Sequence, residues 1–140
     1  MKYFSNLEHG WATLTIGDFT CRCSYIQDIP EVIINAYKEF QKNRYCIINI
    51  DNEGYETEII FSQQGVCAVV YKGFTIHYNL GDYGITDAKT LIYELLKDII
   101  NNVDEWARWM CCEPNYEISV NCHRNRINNY INELLKEYDI

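Results

Sequence analysis

Apolar and polar residues alternate along the stretch Tyr45–Leu80, the period-two pattern of half-buried β-strands. Three polar clusters carrying Gly54, Gly65 and Gly73 divide it into four strands. Turn chemistry assigns them loops of four, three and two residues, in that order. These lengths set Ile50 opposite Tyr55, Ile48 opposite Thr57 and Cys46 opposite Ile59. They then pair Phe61 with Cys67, Ile59 with Val69, Tyr71 with Phe74 and Val69 with Ile76. The inner face is expected to hold Cys46, Ile59, Val69 and Ile76 in one row. Ile48, Thr57, Tyr71 and Phe74 form the next, so that Thr57 is the one polar residue in these rows. The outer face is expected to carry Tyr45, Ile60, Ala68 and His77, then Ile47, Glu58, Val70 and Thr75, then Asn49, Glu56 and Lys72. Glu56 and Lys72 are placed as a cross-strand ion pair. The apolar centre of this face, Tyr45, Ile47, Ile60 and Val70, is more than a solvated face needs, so a helix of the chain or a partner is expected to cover it.

The same alternation marks an earlier hairpin. Trp11–Ile16 and Phe19–Ile26 flank Gly17-Asp18, which suits a two-residue turn with Gly first. That register pairs Ile16 with Phe19, Leu14 with Cys21 and Ala12 with Cys23, all on one face. Thr13, Thr15, Thr20, Arg22 and Ser24 take the other face. A one-residue slip would scramble the division.

Elsewhere the period is helical. Asp28 is an N-cap candidate, with Glu31 three residues on and Pro30 in the first turn. Ile29, Val32, Ile33, Ala36, Tyr37 and Phe40 follow as an apolar stripe. A longer helix is capped by Thr86 or Asp87 and runs to about Cys112, with a weak point at Asn101-Asn102 and an end at Pro114. One last helix is read from about Asn115, although Tyr116, Ile118, Val120 and Cys122 alternate like a strand. The expectation is one α+β domain over residues 1–140. It has an antiparallel sheet of about six strands, a hairpin plus a four-strand meander, and three helices in the order ββαββββαα.

Composition narrows the function classes. The chain has 140 residues, 48% hydrophobic and 23% charged, ordinary for a globular domain. Its apolar runs fall short of the ~18 residues of a membrane span. Met1–Asn6 lacks the apolar core of a signal peptide, so a soluble cytoplasmic protein is expected. Seven cysteines are then reduced thiols, and Cys21, Cys23, Cys46 and Cys67 fall on inward strand positions. The net charge of −8 argues against nucleic acid and favours a basic protein partner.

Chemical motifs are sparse. Cys111-Cys112 with Cys122-His123 does not have the spacing by which thiolate pairs converge on zinc. Cys21 and Cys23 point inward rather than opening a helix as a redox pair does. Gly81 and Gly84 lack the lysine of a phosphate loop. His77 has Glu58 as a diagonal neighbour but no nucleophile beside it, and Glu56 with Glu58 lacks a sugar cleft. No catalytic, metal or cofactor-binding residue is assigned. Trp109 falls near Asn102 and Glu105 on the polar side of its helix, which suits either an interface anchor or packing under the C-terminal helix.

The stretch Phe19–Asp28, with Ser24, Tyr25 and Asp28 in a Ser-Tyr-x-x-Asp pattern, precedes an amphipathic helix and then strands around Asp51–Glu58. This arrangement resembles small bacterial α+β proteins of the kind that includes immunity proteins of polymorphic toxin systems. The resemblance implies a non-enzymatic protein that binds and neutralises a toxin, frequently a basic nuclease, by occlusion. Glu56, Glu58, Asp82, Asp104 and Glu105 are expected to steer such a partner, and Tyr45, Tyr83 and Trp109 to anchor it. Ile47, Ile60, Val70 and His77 complete the expected surface. The alternatives are a small-molecule binder or minor enzyme with a pocket near His77, and a homodimer or larger assembly that buries the outer face.

Overall fold

The hairpin around Gly17 forms in the register its turn dictates. In the computed structural model, which describes residues 2–111 and 116–140, Trp11–Ile16 (β2) and Phe19–Ser24 (β3) pair with Ile16 opposite Phe19, Leu14 opposite Cys21 and Ala12 opposite Cys23. Gly17 has φ +60°, and a Cβ added there would lie 2.8 Å from Cβ of Tyr83. Gly17→Ala is therefore expected to cost about 1–3 kcal/mol through backbone strain and overlap, read as a lower urea midpoint.

A third strand, Phe4–Glu8 (β1), pairs with β2. The sequence pattern missed it because the pairing is irregular between Ser5 and Glu8. Asn6 and His9 there both take φ 54°, which breaks the two-residue period.

The meander is a separate sheet. Cys46–Asp51 (β4), Glu56–Ser62 (β5), Gly65–Tyr71 (β6) and Thr75–Asn79 (β7) follow in spatial order. The structure thus has two antiparallel sheets of three and four strands, not one sheet of about six. Buried Asn52 joins them. Its Nδ2 donates to Arg22 O (2.6 Å) and to Cys21 Sγ (3.3 Å), and its Oδ1 accepts from the Thr57 hydroxyl (2.8 Å).

The meander register also differs. Ile48 faces Ile59 and Ile50 faces Thr57, a two-residue shift that leaves each side chain on its expected face. Ser62 pairs with Gly65, so the second loop is one residue shorter than expected and β6 turns over. Val66, Ala68 and Val70 point inward, while Cys67, Val69 and Tyr71 share the outer face. Tyr71 pairs with Thr75, so the third loop is one residue longer. That slip cancels the previous one and leaves Ile76 inward and His77 outward, while Phe74 joins the turn, 65% exposed.

The described residues form four α-helices rather than three, with a 3-10 turn at Leu80–Tyr83. Ile29–Asn43 (α1) begins at Asp28, whose Oδ1 accepts from Glu31 N (3.1 Å). Ala88–Asn101 (α2) begins at Asp87, which accepts from the amides of Lys89 and Thr90. The long helix expected to reach Cys112 breaks at Asn102. There the side-chain amide bonds Asp98 O (2.8 Å) and the backbone N–H turns to Ile99 O (3.2 Å). The side chain takes the carbonyl that the next helical bond needs, and Val103–Trp109 (α3) starts anew. Cys112 and Pro114, the expected end of this helix, and Asn115, the expected start of the last, lie outside the described residues. Glu117–Glu137 (α4) is helical throughout, so Ile118, Val120 and Cys122 are not a strand.

α1 and α2 pack on each other, α1 against β4 and α2 against β5. α3 packs on β1 and α4, and α4 also lies on α1. Arg126 ion-pairs with Asp28 across the last contact, and its Nη2 lies 3.0 Å from His123 Nδ1. Burial and the Arg126 charge lower the His123 pKa from its ordinary 6.5. The folded protein therefore binds this proton less readily than the unfolded chain, and stability falls as pH drops through 6.5 toward the lower folded value. His123→Gln is expected to lose less stability than the wild type over that window, checked by urea titrations on either side of it.

Candidate sheet-face interface

Strict alternation in β4 and β5 puts Cys46, Ile48, Ile50, Ile59 and Phe61 in the core. It turns Ile47, Asn49, Asp51, Glu56, Glu58 and Ile60 to the other face. With β6 and β7 added, the outer rows read Ile47, Ile60, Cys67 and Asn79, then Asn49, Glu58, Val69 and His77, then Asp51, Glu56, Tyr71 and Thr75. Ile47, Ile60, Cys67 and Val69 form a contiguous apolar centre, in which Ile60 and Cys67 are half-buried and Val69 is buried at 5% exposure. Ile47 is 36% exposed, and Tyr45 just before it is 46% exposed. α1 meets β4 and α2 meets β5, and their buried apolar residues share one core with Cys46, Ile48, Ile59 and Phe61.

Carboxylates border the apolar centre. Glu58 Oε1 accepts a hydrogen bond from the Tyr71 hydroxyl (2.5 Å), which raises the Tyr71 pKa above its usual value. That bond fixes one acid on the face, leaving Glu56 and Asp51 exposed beside it. Lys72, expected to pair with Glu56, instead sits in the β6–β7 turn with Nζ 4.4 Å from the centre of the Tyr55 ring. His77 and Glu58 share a row with Val69 between them. They stand two strand spacings apart, about 9.6 Å, too far for a His–carboxylate pair.

Of the residues expected to bind a partner, Ile47, Glu56, Glu58, Ile60 and His77 share this face, and Tyr45 stands at its edge. Val70 does not, because the slip in β6 turns it inward, opposite Thr57 and into the core. Asp82 and Tyr83 lie in the 3-10 turn, with Tyr83 against Gly17. Asp104, Glu105 and Trp109 belong to α3. Asp104 is engaged by Arg108 and Arg124, and Glu105 by Lys2. Trp109 is buried rather than exposed. Its Nε1 donates to Trp11 O (2.9 Å), and its ring stands edge-on to Trp106 with centroids 5.1 Å apart. It cannot anchor a partner, and the helical spacing of its neighbours does not foretell a contact with a residue so distant in the chain. Sequence reasoning also missed Cys67, Val69 and Tyr71 on the outer face. β6 is apolar on both faces, so neither face is marked.

Other chemical groupings are structural. Cys21 and Cys23 stand two residues apart on the inward face of β3. The neighbouring Cys23 thiol, with Asn52 and Thr57, pulls the Cys21 thiol below its usual pKa against the opposing effect of burial. Both sulfurs are in the core, out of reach of a substrate. A cleft of about 620 Å3 lies between the β1–β2 turn and α3, lined in part by His9, Tyr25, Arg108 and Cys111. Cys112 lies outside the described residues, and with it the Cys111-Cys112 grouping. Among the described residues, no three His, Cys, Asp or Glu side chains converge as metal ligands, and no helix is long and apolar enough to cross a membrane.

No family model matches the chain, and neither a curated protein nor a solved structure does.

Proposed function

We propose that this protein is a non-enzymatic, acidic protein-binding module, and that its working surface is the outer face of the four-stranded sheet. One observation carries the reading. Ile47, exposed, Ile60 and Cys67, half-buried, and Val69, buried, line up as an apolar centre on the sheet face opposite the core, and Asp51, Glu56 and Glu58 border it. An apolar centre with a charged rim is how protein interfaces are built. The acidic rim and the net charge of −8 favour a basic protein, drawn in by long-range attraction and held by the apolar centre. The resemblance to immunity proteins agrees with this mechanism, with occlusion of a basic toxin as the activity.

Co-purification with the product of the adjacent gene tests the proposal. The expected result is a stoichiometric complex whose affinity falls with added salt. The absence of a complex, or one indifferent to salt, would count against a basic partner. A self-associating protein, with sedimentation giving a dimer that loses affinity for any partner, would assign the face to a second copy instead.

A further inference from the structure

The free edge of β4 is built to accept a strand. Asn52 N bonds Tyr55 O across the β4–β5 turn (3.0 Å). In an antiparallel ladder alternate residues bond the neighbouring strand. Counting back from Asn52, Ile50, Ile48 and Cys46 bond β5, and Asp51, Asn49 and Ile47 turn their peptide groups away from it.

One side chain already uses this edge as a strand would. Gln27 Nε2 donates to Asn49 O (2.5 Å), and Gln27 Oε1 accepts from Asp51 N (3.1 Å). A single carboxamide thus imitates one step of an antiparallel ladder. The edge continues through the Asn49 N–H and both peptide groups of Ile47, which no other side chain among the described residues bonds. Beside it runs a groove of about 320 Å3 between β4 and α1, with Val32, Ala36 and Cys46 as an apolar wall and Glu39 and Asn49 at its polar margin.

We propose that this edge and groove bind an extended, basic segment of the partner protein, which adds to the sheet as a further antiparallel strand. The proposal rests on the docking surface described above, because Ile47 belongs to both. Main-chain bonds to Ile47 and Asn49 supply affinity, and alternate side chains supply specificity. One set of the segment's side chains packs against Val32 and Ala36. The other set points to the outer face, where Asp51, Glu56 and Glu58 favour Lys or Arg. Glu39 adds a further acid at the groove. Lys38 and Lys42, also on α1, line an adjoining cleft with Glu137 and Tyr138 that shares Asn35 and Glu39 with this groove. Gln27 holds the edge until the segment displaces it.

The probe is an end-capped octapeptide of alternating lysine and valine, with the same peptide N-methylated at every second residue as control. The unmethylated peptide is expected to shift the amide resonances of Ile47 and Asn49 and the side-chain amide of Gln27. Gln27→Ala removes the internal competitor and is expected to tighten binding about threefold to tenfold. Ile47→Pro deletes an outward N–H without touching the ladder, a substitution sheet edges tolerate, and is expected to weaken binding about tenfold. Equal binding of the methylated peptide, no response to Gln27→Ala, or shifts away from β4 would overturn the proposal. So would a dimer of the protein itself that Ile47→Pro dissolves. If Ile60→Lys abolishes capture of the partner while Ile47→Pro leaves it intact, the sheet-face reading stands and the strand-addition site fails.

Discussion

Asp98→Ala is expected to lower the unfolding free energy by about 3–5 kcal/mol. Asp98 is a charged residue at 3% exposure, and it fastens the start of β1 to α2. Its Oδ2 accepts from Tyr3 N (2.7 Å) and Phe4 N (3.0 Å), and its Oδ1 accepts from Asn102 Nδ2 (2.9 Å). Truncation leaves two buried backbone N–H groups without an acceptor, each costing about 1–3 kcal/mol. It also loosens Phe4, whose ring stands edge-on to buried Trp106 at 5.0 Å. Asp98→Asn keeps one acceptor oxygen and should lose roughly half as much. Urea unfolding followed by tryptophan fluorescence reads both. A loss under about 1 kcal/mol for Asp98→Ala would mean that β1 is held by its pairing with β2 and its apolar contacts without help from Asp98.

Ile60→Lys is expected to leave the fold intact and to weaken partner binding by about 30-fold or more, roughly 2 kcal/mol. Ile60 stands between Ile47 and Cys67 across the outer face, at the middle of the apolar centre. Its side chain is half-buried, with room for a lysine to reach water along its methylene stem. The new charge desolvates at great cost under a partner, and it repels a basic one. Thr75→Lys, on the exposed end strand of the same sheet, adds the same charge away from that centre. It should cost only what net charge costs, a loss that salt removes. Equal loss for both substitutions would make the interaction purely electrostatic and would remove the apolar centre from the account.

The outcome at each element follows from how firmly its pattern fixes a register. In β2 and β3 every apolar residue except Trp11 shares one face and Gly17-Asp18 admits one tight turn, so the pairing was legible. β4 and β5 also alternate strictly, and a two-residue shift moved partners without moving faces. For that reason Ile47, Ile60, Glu56 and Glu58 could be assigned to the outer face before the structure was known. β6 offers no such constraint. Val66, Ala68 and Val70 alternate with Cys67, Val69 and Tyr71, and both sets are apolar enough to be buried. A one-residue choice of loop length therefore misplaced Val70 and hid the bond between Tyr71 and Glu58. The joint between the two sheets runs through Asn52, a loop asparagine whose bonds to Arg22 and Cys21 join residues about thirty positions apart and which no local periodicity marks. The same holds for Asp98, whose role depends on a strand that its own bulge concealed.

The most direct test of the docking face uses the sheet as its own control. Methyl spectra of isoleucine-labelled protein would be followed while the product of the adjacent gene is added. Ile47 and Ile60 project from the outer face and Ile48 and Ile59 from the inner one, in neighbouring positions of β4 and β5. The account predicts that the Ile47 and Ile60 methyls shift or broaden on binding while those of Ile48 and Ile59 stay in place. Shifts confined to methyls remote from this sheet face, or no shift at all, would contradict it.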